Sequence, residues 1–161
     1  MVHQHSLPDN VTKSFSFLYR HISFDDETTR DIRSKSDRFA AVRNIFELFN
    51  NQCMNNMAPC DYLSLDETLY AMRNQIGFKQ FNPNKPSKYG MLFKSINAAR
   101  YPYTYIASPY AGKPEAGDGT YYYKGTENVV KNMVERFEKK QSLSGRNISF
   151  DRLYTSLPLA E

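Results

Sequence analysis

Two acidic residues occupy matching places in the sequence. Asp66 closes the run LSLD and Asp151 closes ISFD, so each carboxylate falls on the polar phase of an alternating segment whose other phase is apolar. Two carboxylates a few ångströms apart repel one another, which raises one pKa unless a cation is shared between them. Hard oxygen donors of this kind suit a divalent ion such as Mg2+. Cationic side chains follow the first acid: Arg73, Lys79, Lys85 and Lys88 are interleaved with Phe78, Phe81 and Tyr89, on a segment stiffened by Pro83 and Pro86. Arg152 directly follows the second acid. Lysines and arginines at such spacing can track a phosphate backbone. The plainer alternative is that the acids only end their strands and the lysines only solvate a hairpin. Glu67, one step from Asp66, points to the other face and is expected to have a structural role.

The chemistry depends on what positions these residues. The first strand alternates Leu63 and Leu65 against Ser64 and Asp66 and is expected to end on the acidic pair Asp66 and Glu67, with the Lys-Pro hairpin running from Pro83 to Gly90. Tyr89 to Asn97 and Tyr101 to Tyr110, rich in Tyr, Phe and Ile, read as two further strands of a meander. Thr126 to Gln141 is the clearest helix, with Val129, Val130, Met133, Val134 and Phe137 on one face and Lys139 and Lys140 in its last turn. The strand with Ile148 and Phe150 follows. A strand-strand-strand-helix-strand order allows the fourth strand to return parallel to the first, which would bring Asp66 and Asp151 together.

Upstream, Asn10 to Ile22 has helical spacing, Phe24 to Asp37 reads as a charged linker, and Ser36 to Asn51 as an amphipathic helix with Phe39, Val42, Ile45, Phe46 and Phe49 on its buried face. Asn50 to Pro59 reads as a connector. The expected division is a helical lead-in over 1–52 and a mixed α/β domain over 53–161. The Gly- and Pro-rich stretch Ala111 to Gly119 is a loop without phosphate-loop spacing.

Composition narrows the class. A chain of 161 residues with 40% hydrophobic and 14% aromatic content can bury a core and is not compositionally disordered. The net charge of +4 and pI near 9.0 suit an acidic partner without requiring one. Cys53 and Cys60 fit neither a disulfide framework nor a zinc knuckle and read as free thiols. No signal-peptide core is present and no apolar run approaches the ~20 residues of a membrane span, so a soluble, intracellular protein is expected. His3 and His5 fall in a polar tail and read as solvated; His21 reads as a packed histidine.

LSLDE, FKQFNPNKPSKYG, RNISFD and YTSLPLA, in this order, resemble the catalytic domain of piggyBac-type transposases, from about Phe24 to the last residue. The NPNKPSKYG stretch is the most specific part of the match. The resemblance implies an RNase H-like core, truncated after the fourth strand and preceded by N-terminal helices. It also implies Asp66 and Asp151 as catalytic and metal-binding acids, Mg2+ (or Mn2+) as cofactor, DNA as partner through Arg73, Lys79, Lys85, Lys88 and Arg152, a homodimer, and a nuclear location. Two departures accompany it. Arg73-Asn74-Gln75 stands where the family shows a basic-Gly-basic triplet. The family's further acid, inserted region and Cys-rich end also have no counterpart, as Glu161 follows Asp151 too soon to replace the third acid. The two functions to separate are therefore a transposase fragment, whose parent would cut and join DNA, and a non-catalytic DNA-binding remnant.

Overall fold

The computed structural model describes residues 9–113 and 124–154. Five strands form one mixed sheet: β1 (Tyr62–Ala71), β2 (Gln80–Phe81), β3 (Tyr89–Ala98), β4 (Thr104–Pro109) and β5 (Asn147–Phe150). β3 is antiparallel to β1 along one edge, and along its other edge it meets β2 and then β4. β5 lies parallel to β1 on the far side, reached through the helix α4 (Thr126–Glu138). The expected order thus holds, with the two-residue β2 added where the basic hairpin folds back.

β1 does not stop at its acids. Its register with β3 runs from Leu63↔Ala98 to Ala71↔Gly90, so Asp66 and Glu67 lie mid-strand. Acids are depleted in strands as a rule, but Thr68, Leu69 and Tyr70 beyond them favour a pleated, half-exposed surface and carry the ladder on. Gly90 is required where the hairpin closes, because a Cβ there would come 2.1 Å from the Tyr70 carbonyl oxygen. Gly90→Ala must therefore push two paired backbones apart, at an expected cost of roughly 1–3 kcal/mol. Urea denaturation checks this, and an unchanged midpoint would show that the hairpin yields freely.

Two-residue periodicity sorts the sheet. Leu63 and Leu65, with Ile96 and Ala98 opposite them and Ile106 on β4, face α4, whose Val129, Val130, Met133 and Phe137 are buried against them. α4 ends at Glu138, so Arg136 is the basic residue of its last turn and Lys139 is its C-cap. Tyr105 fills the irregularity between β3 and β4 and meets the Phe137 ring edge-on at 5.9 Å.

α3 (Ala40–Asn56) is longer than expected and takes in most of the Asn-rich connector. Of the expected face, Phe39 is buried with Phe46 packed against it, but Val42, Ile45 and Phe49 are exposed, whereas Arg43 and Asn50 are buried. Both polar residues are satisfied inside. The Arg43 guanidinium forks onto Asp37 at 2.8 and 3.1 Å. The Asn50 side-chain amide donates to the Ala107 carbonyl and accepts from the Ala107 N–H, both at 2.9 Å, so α3 is fastened along β4. Arg136 on α4 reaches Glu47 on α3 at 2.8 Å and joins the two helices.

The charged stretch expected to be a linker contains a helix, α2 (Glu27–Ser36), capped by the Asp26 side chain, which accepts from the Thr28 N–H at 3.0 Å. Asp25 is buried between Arg30 and Arg33, whose hydrogen bonds hold its carboxyl below the usual range. α1 (Asp9–His21) forms close to its expected bounds with Phe15, Leu18 and Tyr19 exposed, and His21 is also exposed, its ring nitrogen bonded to the Phe17 carbonyl rather than packed in a core. Cys53 and Cys60 are free thiols. Among the described residues no helix is long and apolar enough to cross a membrane. His3, His5, the loop residues 114–119 and Glu161 lie outside the described residues.

Candidate active site

The register of the parallel pair defines the acid site. Its last pair is Leu65↔Phe150, and the next residue on each strand is an acid, Asp66 on β1 and Asp151 after β5. Neighbouring strands lie ~4.8 Å apart, and residues in register on them project to one face. Asp66 and Asp151 each follow directly on that last registered pair, and both residues are exposed. Each carboxylate is oriented by the peptide that follows it. Asp66 Oδ1 accepts the Glu67 N–H at 2.7 Å, and Asp151 Oδ1 accepts the Arg152 N–H at 2.5 Å.

Glu67 takes the opposite phase, with Leu63 and Leu65. Its Oε2 accepts the Tyr154 hydroxyl at 3.2 Å. Tyr154 closes the short 3-10 turn Arg152–Tyr154 and is fully buried at 1% exposure. Burial, and then the negative charges of Glu67, Asp66 and Asp151, drive the Tyr154 hydroxyl well above its ordinary pKa, so it stays a donor. Lys94, the cross-strand partner of Glu67, is lowered by burial, with the Glu67 charge opposing that shift. The sequence reading missed Tyr154. The available signal was its spacing, one turn after Asp151.

The cations divide into two groups. Arg73, Lys88 and Arg152 are exposed. Lys79 is half-buried, its Nζ 3.3 Å from the Asn74 carbonyl and 5.8 Å from the centre of the Tyr89 ring. Lys85 is also half-buried, its Nζ 3.5 Å from the Glu67 carbonyl, which places the tip of the basic hairpin on the acid-bearing part of β1. On the sheet face of Asp66, a cavity of about 390 Å³ is walled by Phe46, Phe49, Tyr70 and Phe93.

The donor set suits a hard divalent cation in kind, as both groups are carboxylates, each one residue past the same registered pair. It is small in number. Among the described residues no group of three His, Cys, Asp or Glu side chains comes together as a metal site.

A sheet in the order β4-β3-β1-β5, with β5 parallel to β1 and a helical crossover between β4 and β5, has the RNase H-like arrangement. The family model described as Transposase IS4 matches residues 12–161, and the chain belongs to that family. It is similar to piggyBac transposase as seen in a cryo-EM structure of a synaptic complex with hairpin DNA, with 34% identity and a TM-score of 0.75 over 91% of this chain. The chain spans 29% of that protein's length. No curated protein matches it.

Proposed function

We propose that this chain is part of the catalytic core of a piggyBac-type DNA transposase, and that Asp66 and Asp151 are the acids through which it acts on DNA by divalent-metal-dependent phosphoryl transfer. The observation that supports this reading is the β1–β5 register, which ends one residue before both acids. Asp66 and Asp151 would hold Mg2+ or Mn2+. Such an ion supplies Lewis-acid stabilisation of charge at phosphorus and a more acidic attacking oxygen. Arg73, Lys88 and Arg152 offset phosphate charge from the exposed surface, and Lys79 and Lys85 add positive potential behind them. A nuclear location and a homodimer belong to the same reading.

The second reading is a DNA-binding protein without cleavage chemistry. The exposed cations Arg73, Lys88 and Arg152 favour it, because they can offset phosphate charge without any bound metal. Calorimetric Mn2+ titration and a DNA-nicking assay on the wild-type chain, Asp66→Asn and Asp151→Asn separate the two. The expected result is weak Mn2+ binding by the wild type, its loss in either variant, and no nicking by the chain alone. Nicking by the wild type that both variants abolish would remove the second reading, and Mn2+ binding that survives both substitutions would remove the first.

A further inference from the structure

The ladder between β1 and β5 is short, and it ends at Leu65↔Phe150. Asp151 therefore lies beyond the last registered pair, where the backbone turns away into Arg152–Tyr154. Something other than that ladder has to hold the turn against β1. One contact that spans this gap is the hydrogen bond from the Tyr154 hydroxyl to Glu67 Oε2 at 3.2 Å. Its two ends adjoin the peptides that orient the acids. Glu67 donates its own N–H to Asp66, and Tyr154 donates its N–H to the Asp151 carbonyl at 2.8 Å while Arg152 donates to the Asp151 carboxylate. The ring is anchored as well, because Tyr154 belongs to the buried cluster of Leu63, Leu65 and Phe137.

We propose that the Tyr154–Glu67 hydrogen bond is a clasp that fixes the turn after β5 against β1 and thereby sets the spacing of Asp66 and Asp151. Tyr154 and Glu67 are positioning residues: they approach the site from the opposite face of the sheet and act through the backbone of the two acids. The inference rests on the reading of Asp66 and Asp151 as metal ligands only for its consequence. The clasp itself is a property of the protein without metal.

Backbone amide hydrogen exchange and Mn2+ titration, run together on the wild type, Tyr154→Phe, Glu67→Gln and Glu67→Met, test it. Tyr154→Phe keeps the ring and removes one hydrogen bond. It is expected to speed exchange at the Arg152 and Tyr154 amides roughly tenfold, to leave the α4 amides at wild-type rates, and to weaken Mn2+ binding by about the same factor. Glu67→Gln retains an acceptor and is expected to keep the wild-type exchange pattern, whereas Glu67→Met should reproduce Tyr154→Phe. Unchanged exchange at Arg152 and Tyr154 in Tyr154→Phe overturns the clasp whatever the metal does. Equal acceleration at every amide, α4 included, also overturns it, since the bond would then contribute only to global stability. If the wild type binds no Mn2+ but the exchange pattern is as expected, the clasp stands and the metal reading of the two acids fails.

Discussion

Phe137→Ala is expected to cost about 3–5 kcal/mol, the range for truncating a fully buried aromatic. A native domain has only about 5–15 kcal/mol in total, so a measurable unfolded population should appear without denaturant. Phe137 has 0% exposure and sits where α4 meets the sheet, packed with Leu63, Leu65, Ile96 and Met133. The surroundings cannot collapse readily into the space it would leave. Tyr105, edge-on to its ring, is held at its hydroxyl, which pairs with the Tyr101 hydroxyl at 2.9 Å and donates to the Ala58 carbonyl at 3.3 Å. A residue fixed at its polar end does not swing into a void, and the cavity term should therefore be near its upper limit. Phe137→Leu retains most of the volume and should cost much less. Because α4 is the crossover that carries the chain from β4 to β5, loss of its packing should also loosen Asp151 from Asp66. Urea denaturation followed by circular dichroism gives the measurement, and a Phe137→Ala midpoint near the wild type would show that α4 is not a principal component of the core.

The second large effect concerns salt. Each phosphate neutralised by a lysine or arginine contributes about 0.9 to the slope of log affinity against log salt on duplex DNA. Arg73, Lys88 and Arg152 are exposed, whereas Lys79 is engaged by the Asn74 carbonyl and the Tyr89 ring. Replacement of Arg73, Lys88 and Arg152 by alanine is therefore expected to flatten the slope by roughly 2.7 units, with affinity falling most at low salt. Lys79→Ala should move the slope little, and Lys85→Ala should have an intermediate effect because its Nζ reaches the Glu67 carbonyl from a half-buried position. Fluorescence anisotropy of a labelled duplex across a salt series gives each slope. A triple variant with the wild-type slope would place the DNA contact surface elsewhere on the chain.

The sheet and α4 were legible because their signals are local and repetitive. Leu63 and Leu65 against Ser64 and Asp66, Ile148 against Ser149, and the Val129–Phe137 spacing each fix a phase within one element. The matching phases of LSLD and ISFD were enough to anticipate the parallel pairing, which the register follows. What failed was reading polarity as exposure. In α3 the apolar count selected Val42, Ile45 and Phe49 for the core, but Arg43 and Asn50 are buried because each has a partner outside the helix, Asp37 and the Ala107 backbone, that no periodicity encodes. The same bias ended β1 at its acids and made a linker of α2, whose charges pair among themselves at Asp25, Arg30 and Arg33. Tyr154 escaped notice because its partner Glu67 is far away in sequence, and a long-range hydrogen bond leaves no mark in composition.

The Asn50 amide has a consequence for how this protein meets other chains. Ala107 lies opposite Ser95 on β3, and its N–H and C=O point outward, where a further strand would have to dock. One asparagine side chain occupies both groups, mimicking the peptide of a neighbouring strand and closing that edge to recruitment. The sheet is protected on its β4 side by a helix rather than by charge or proline. Among the described strands none covers the outer side of β5, where Phe150 is 37% exposed. At the β4 edge, then, a single side chain closes the sheet to strand addition.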